Sequence, residues 1–212
     1  AYTYGYEDFW IVKTGTNGVK QWDLDIGGDG VDRLQALEQT RDGGYMCGGY
    51  SSSGTNAHKS EACRGSYDFW VYKTDASGSR LWDKTLGGSG DDQLTRLQQT
   101  SDGGYILGGF TTSTNNGDVS EPSRGSKDYW VVKISSNGVK QWDHRFGGSS
   151  DDELHAVVQT RDGGYFLGGW SQSPADGDKS EPRRGASSVD SDYWTLKLDS
   201  NGHKVWDKTI GG

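Results

Sequence analysis

The 212-residue chain has little of what usually builds a protein core or a scaffold. It holds 3 prolines, 2 cysteines and 1 methionine, and Leu, Ile, Val and Phe together supply only 34 residues. Three prolines without a Gly-X-Y period exclude a collagen-like chain. No run of ~18 apolar residues occurs, so no membrane-inserted helix is expected, and 2 cysteines are too few for a disulfide scaffold. With 22 basic against 30 acidic residues the net charge is −8, which disfavours nucleic acid and anionic membranes and suits a neutral ligand or a cation. Such low aliphatic content beside that charge borders on the composition of disordered chains. The chain opens at Ala1 without a signal-peptide pattern, as expected of a mature or excised segment.

What is present points the other way. There are 34 glycines, 9 tryptophans and 11 tyrosines. A buried Trp or Tyr removes ~150–250 Å² from water, so a few per unit can replace an aliphatic core. So much Gly, Trp and Tyr with so little Leu opposes a helical bundle.

A repeat organises the whole sequence. Asp-aromatic-Trp occurs at Asp8-Phe9-Trp10, Asp68-Phe69-Trp70, Asp128-Tyr129-Trp130 and Asp192-Tyr193-Trp194, at spacings of 60, 60 and 64. Each is followed by a lysine (Lys13, Lys73, Lys133, Lys197), then by a second Trp (Trp22, Trp82, Trp142, Trp206) and a Gly-Gly pair. The second half of each unit carries Asp32, Asp92 or Asp152, then Gln-Thr, then Asp-Gly-Gly-Tyr beginning at Asp42, Asp102 or Asp162. Residues 1–212 thus read as one repeat domain with units 8–67, 68–127 and 128–191 and a half unit 192–212.

Each unit reads as four short strands, a to d. Asn17-Gly18, Ser77-Gly78, Asn137-Gly138 and Asn201-Gly202 mark tight a–b hairpins. Asp-Gly-Gly marks a second turn, between c and d. The Leu94/Leu97 spacing of strand c also fits a helical turn. Four antiparallel strands repeated every ~60 residues describe an all-β, β-propeller-like array of three and a half units. Taken as c-d-a-b, the array has three blades starting at Asp32, Asp92 and Asp152, preceded by an a–b hairpin. Such a count leaves room for a longer array, for two chains completing a ring as a homo-oligomer, or for seven hairpins in a smaller closed structure.

Two resemblances attach to these residues. Thr100-Ser101-Asp102-Gly103-Gly104-Tyr105-Ile106-Leu107 resembles the Asp-box, as do Thr40 to Cys47 and Thr160 to Leu167, with Cys or Leu at the final aromatic position. Asp-boxes are structural hairpins on the propeller blades of sialidases and other secreted proteins. The whole unit, from Asp-Tyr-Trp-Val-Val-Lys to Gly-Asp-x-Ser-Glu-x-x-Arg-Gly, resembles tandem repeats of secreted and cell-surface proteins of Bacteroidota that are type IX secretion cargo. The resemblance spans essentially all 212 residues. It implies an extracellular or cell-surface repeat protein of adhesive or glycan-handling type. The sorting domain that commonly ends such proteins is not in this sequence.

The long d–a loops hold most candidate residues. Glu61, Glu121 and Glu181 with Arg64, Arg124 and Arg184 recur there, either as a structural latch with the following Asp or as ligand contacts. Asp176-x-Asp178-x-Ser180-Glu181 and Asn116-x-Asp118-x-Ser120-Glu121 place oxygen ligands at alternate positions, as calcium loops do, so Ca²⁺ is a candidate ion. The first copy, Asn56-x-His58-x-Ser60-Glu61, lacks the central carboxylate. Tyr50, Phe110 and Trp170 end strand d beside these loops and are the candidate platforms for stacking a sugar ring, while the two regular Trp series are expected in the core. Cys47 and Cys63 could form a disulfide, or Cys47 could be a buried thiol at the Leu107/Leu167 position. The repeated lysine is expected to reach a carboxylate, Asp32, Asp92 or Asp152.

Catalysis finds little support. The 4 histidines fall at unrelated repeat positions, and carboxylate pairs such as Asp91-Asp92 repeat with the unit, whereas an active site is unique. The sequence therefore reads first as a non-enzymatic, multivalent carbohydrate-binding module, an adhesin or the accessory part of a polysaccharide-active protein. A structural or self-associating repeat stands second, and a glycoside hydrolase or lyase third.

Overall fold

The computed structural model describes residues 6–55, 58–185 and 190–211. These form fourteen strands and no helix: β1 (Phe9–Thr14), β2 (Lys20–Ile26), β3 (Asp32–Gln39), β4 (Tyr45–Ser51), β5 (Asp68–Thr74), β6 (Arg80–Leu86), β7 (Asp92–Gln99), β8 (Tyr105–Thr111), β9 (Asp128–Ile134), β10 (Lys140–Phe146), β11 (Asp152–Gln159), β12 (Tyr165–Ser171), β13 (Asp192–Leu198) and β14 (Lys204–Ile210). They make three four-stranded antiparallel sheets, β3–β6, β7–β10 and β11–β14, preceded by the two-stranded β1–β2 hairpin. Each sheet is a c-d-a-b blade, so it straddles two sequence units. The result is the all-β, propeller-like array that the repeat implied, and its sheets do not close into a ring.

The turns follow from the sequence. Gly18, Gly78, Gly138 and Gly202 adopt φ of 76–87°, and Gly43, Gly103 and Gly163 lie at 82–85°. That left-handed region suits glycine and matches the twist of a tight hairpin. Strand c is a strand despite its i, i+3 leucines. A β-bulge between Leu94 and Arg96, repeated at Leu34/Ala36 and Leu154/Ala156, inserts one residue. It puts Leu94 and Leu97 on one face, which a regular strand would not do.

Packing between blades explains the composition. The first aromatic of one a strand stacks on the Trp of the next: Phe9 on Trp70 at 4.9 Å, Phe69 on Trp130 at 4.6 Å, and Tyr129 on Trp194 at 4.9 Å between ring centroids. Such pairs add about 0.5–1.5 kcal/mol beyond the area they bury. Beside them, a Cβ added at Gly48 would lie 2.6 Å from Leu97 of the next blade, and one at Gly108 2.6 Å from Leu154. These glycines are sockets for the neighbour's leucines. The c strands β3, β7 and β11 touch in succession and form the inner edge, leaving β6, β10 and β14 outermost.

The regular Trp series divides by position. Trp70, Trp130 and Trp194 are fully buried, as expected for core, but Trp10 is 69% exposed because no blade precedes it among the described residues. At the other end Tyr193 is 71% exposed for the mirror reason, with Ile210 beside it.

Candidate functional site

The loop end of the blades is held by internal bonds. Glu61 pairs with Lys84 (2.6 Å), Glu121 with Arg124 (3.0 Å) and His144 (2.9 Å), and Glu181 with Lys208 (2.5 Å) while accepting from the Thr209 amide (3.0 Å). The Arg64, Arg124 and Arg184 amides donate to Asp68, Asp128 and Asp192, the aspartates that open the next a strand. Two of the arginines also tie successive loops, Arg64 to Asp118 (2.6 Å) and Arg124 to Asp178 (2.5 Å). The loop residues therefore act as a latch within and between units.

The calcium-like oxygens diverge. Asp176 accepts from the Ser149 amide (3.0 Å), and Asp178 from the Gly147 amide (3.2 Å) and Arg124. Ser180 donates its amide to Asp207, and Glu181 turns to Lys208. In the middle copy Asn116 accepts from the Ser89 amide, Asp118 from Arg64 and the Gly87 amide, and Ser120 donates its amide to Asp143. Glu121 goes to Arg124 and His144. Among the described residues no three His, Cys, Asp or Glu side chains gather as a metal would need. Asn56 of the first copy lies outside the described residues.

The aromatic platforms are corrected by the structure. Tyr50 and Phe110 are 7% and 5% exposed, not open rings. Tyr50 packs edge-on to Tyr67 at 5.2 Å and accepts from Arg33, while the Lys127 ammonium covers Phe110 at 4.6 Å from the ring centre. Long side chains of the following segment roof both rings, a contact that strand periodicity does not reveal. Trp170 remains half-buried: the short Ser191 stands where Tyr67 and Lys127 roof the other two rings, and no following blade lies among the described residues. It lines a cavity of about 440 Å³ with Gly168, Tyr193 and Ile210.

The disulfide is also corrected, since both cysteines are free. Cys47 points from β4 into the core against Phe9, Ile11 and Trp70, and burial pushes its thiol up to about 12. Cys63 sits in the loop with its sulfur 3.3 Å from the Gly65 carbonyl.

Below the loops lies a charge arrangement that sequence reading missed. Asp32, Asp68, Asp92, Asp128 and Asp152 are buried, each with polar partners. Burial pushes the Asp68 and Asp152 carboxyls up to about 6, each raised further by a neighbouring aspartate, Asp92 and Asp128 respectively. A buried cation accompanies them from two different chain positions. Units one and three use Lys59 and Lys179, with Thr85 and Thr209 opposite; unit two has Val119 and Arg145 in those places. Arg145 Nε lies 2.5 Å from Asp128 and its Nη1 donates to the Ser113 carbonyl; Lys179 Nζ donates to the equivalent carbonyl, Ser173, at 2.9 Å. The signal was visible as a paired exchange, Lys to Val with Thr to Arg, one repeat apart.

The repeated strand-a lysine also has a different partner. Lys73, Lys133 and Lys197 pair at 3.0 Å with Asp42, Asp102 and Asp162 of the Asp-Gly-Gly turn, not with Asp32, Asp92 or Asp152. Burial alone would raise Asp102, but hydrogen bonds from Thr100, Lys133 and the Gly104 amide bring it down to about 2.

At this turn end the blades leave a repeated groove. The b-strand Trp meets the next blade's Tyr edge-on: Trp22–Tyr45 at 5.5 Å, Trp82–Tyr105 at 6.2 Å and Trp142–Tyr165 at 5.6 Å. These tryptophans are half-buried, so part of each indole faces solvent. The groove at Trp142 has a volume of about 410 Å³ and is lined by Asp102, Lys133, Gln141, Gln159 and Tyr165. A second, of about 400 Å³, repeats Asp162, Lys197 and Trp206 in the last blade. An aromatic wall, a neutralised ion pair and carboxamides suit a polar, uncharged ligand.

No known family model matches the chain. It is similar to the regulatory protein FlaEY of Caulobacter vibrioides, 27% identical over 119 residues, which is 54% of this chain and 12% of that protein. The matched stretch is thus a small part of a much longer protein.

Proposed function

We propose that this chain is a non-catalytic, multivalent carbohydrate-binding module of an extracellular or cell-surface protein, with its binding stations in the turn-end grooves at Trp82/Tyr105 and Trp142/Tyr165. The observation that carries the reading is the recurrence, at successive blade boundaries, of a half-buried Trp edge-on to a Tyr beside a Lys–Asp pair, with Gln141 and Gln159 completing the groove at Trp142. Indole faces stack on the C–H face of a sugar, and the carboxylate, ammonium and amides hydrogen-bond its hydroxyls. Repetition favours binding by avidity over single-site affinity. The extracellular placement rests on the resemblance of the repeat, and the net charge of −8 fits a neutral glycan better than a polyanion. The buried aspartates do not suit acid–base chemistry, because Asp92 and Asp152 are closed to solvent and engaged with the Gly88 and Gly148 amides.

The test is a glycan array followed by titration of the best neutral oligosaccharide against Trp142→Ala and Trp82→Ala. Each substitution is expected to weaken binding about 5- to 50-fold per site, the range of a lost aromatic contact. An array without signal, or hits untouched by both substitutions, would refute it. A second reading, a self-associating repeat without a small ligand, is favoured by the exposed Trp10 and Tyr193 at opposite ends and predicts concentration-dependent mass in sedimentation.

A further inference from the structure

In β5, β9 and β13 both edges are paired, on one side to strand b and on the other to strand d, namely β4, β8 or β12. β1 has a similar sequence and the equivalent b-strand partner on one side, β2, but among the described residues no strand pairs with its other edge. Backbone N–H and C=O groups along such an edge are a template for an added strand.

Two neighbouring side chains are set for the same missing element. Leu37 is 50% exposed, whereas its repeats Leu97 and Val157 are 8% and 4% exposed, packed near the socket glycines Gly48 and Gly108. Among the described residues no d strand supplies such a glycine to Leu37. The repeats of Lys13 pair with the Asp of a c–d turn at 3.0 Å, while Lys13 itself lies over the Tyr45 ring at 5.3 Å. No carboxylate among the described residues forms an ion pair with it.

We infer that the β1–β2 hairpin is an acceptor for one further c–d hairpin of this same repeat class, which docks by strand addition and completes a fourth blade. The occupant is specified by the three internal examples. Its d strand pairs with β1 in the register Ser51↔Asp68, Tyr50↔Phe69, Gly49↔Trp70 and Gly48↔Val71 seen in the first full blade. Its first strand-d glycine receives Leu37, and its turn Asp reaches Lys13. A second copy is a poor donor, since each of its own c–d hairpins sits inside a four-stranded sheet that would have to open. On the acceptor side, β1, Lys13 and Leu37, the inference uses no residue of the Trp82 or Trp142 grooves, and it goes beyond the carbohydrate reading.

The test uses a labelled peptide of residues 92–111, which carries β7, the Asp102 turn and β8. An isolated hairpin is marginally stable, so the same segment is also tethered ahead of the full chain by a Gly/Ser linker, which raises its effective concentration. Saturable binding is expected, with slowed amide exchange along β1. Leu37→Asp in the protein and Gly108→Leu in the peptide should each weaken it at least about tenfold. Asp102→Asn in the peptide should weaken binding about tenfold to wild-type protein and hardly at all to Lys13→Met, because the ion pair is shared. Failure of both free and tethered hairpins to protect β1, or equal binding by the Gly108→Leu peptide, overturns the inference. So does prior protection of β1 in a dimer formed without peptide, which would give the edge to a second copy.

Discussion

Replacing Arg145 by threonine isolates the buried cation of the second blade. Arg145 is fully buried, its Nε is 2.5 Å from Asp128, and its other nitrogens donate to the Ser113 and Thr111 carbonyls and to Ser123 Oγ. Arg145→Thr leaves the Asp128 carboxylate buried without a cation, a change that costs about 3–5 kcal/mol. For a chain of this length each kcal/mol moves Tm by about 2–4 °C, so the fall is roughly 6–20 °C. Val119→Lys alone adds a second cation beside Arg145 in closed space and should cost about 2 kcal/mol. The double variant recreates the Lys/Thr arrangement of Lys59 with Thr85 and of Lys179 with Thr209. It should return to within about 1 kcal/mol of the parent, a coupling of about 4–6 kcal/mol. Urea and thermal unfolding of the four proteins by Trp fluorescence measure the cycle. If the double variant is no more stable than Arg145→Thr, the two cation positions are not equivalent and the argument fails.

Three further outcomes are expected. Asp68 and Asp152 are held near 6 against an ordinary 3.8, so folding takes up protons in that window and stability rises as pH falls from about 6 toward 4, by up to ~3 kcal/mol each. Below it Asp42, Asp102 and Asp162, held at about 2, lose their pairing and stability falls; Asp68→Asn with Asp152→Asn should flatten the first limb and spare the second in pH-dependent urea melts. EDTA should leave Tm unchanged, since the loop carboxylates already bind amides and basic side chains; a drop of several degrees on chelation, reversed by Ca²⁺, would restore the metal reading. Non-reducing mass analysis and thiol labelling in denaturant should count two thiols, with Cys47 silent in the native state because burial holds its thiol near 12.

Much of the fold was legible because the repeat multiplied weak signals. One Asn-Gly turn is suggestive; three of them and a Ser-Gly at fixed register define hairpins. The c-d-a-b grouping also followed, because Asp32, Asp92 and Asp152 recur where blades begin. Side-chain fate across blade boundaries was not legible. Tyr50 and Phe110 sit at an exposed-looking strand end, yet Arg33 and Lys127 reach over them. The Lys13 series was matched to the wrong aspartates, since a partner across two strands is set by register, which spacing alone does not give. The alternating oxygens of 176–180 resemble a metal loop only in one dimension; the glycine-rich b–c turns bring amides to them from another strand.

The shortage of aliphatic residues follows from how the faces are divided. Gly48 and Gly108 remove a side chain from strand d so that Leu97 and Leu154 can enter from the next blade, and each leucine then serves two sheets. The Trp70, Trp130 and Trp194 rings do the same against Phe9, Phe69 and Tyr129. A unit built this way cannot bury its own faces and depends on a neighbour on each side. At Gly168 an added Cβ meets nothing within 4 Å, and Tyr193 and Ile210 lie open beside it. Filling that socket from within, by Gly168→Leu, should therefore be tolerated, whereas Gly108→Leu should cost several kcal/mol through collision with Leu154. Equal Tm losses for the two would mean that the glycines serve the strands' own backbone and not the neighbouring blade.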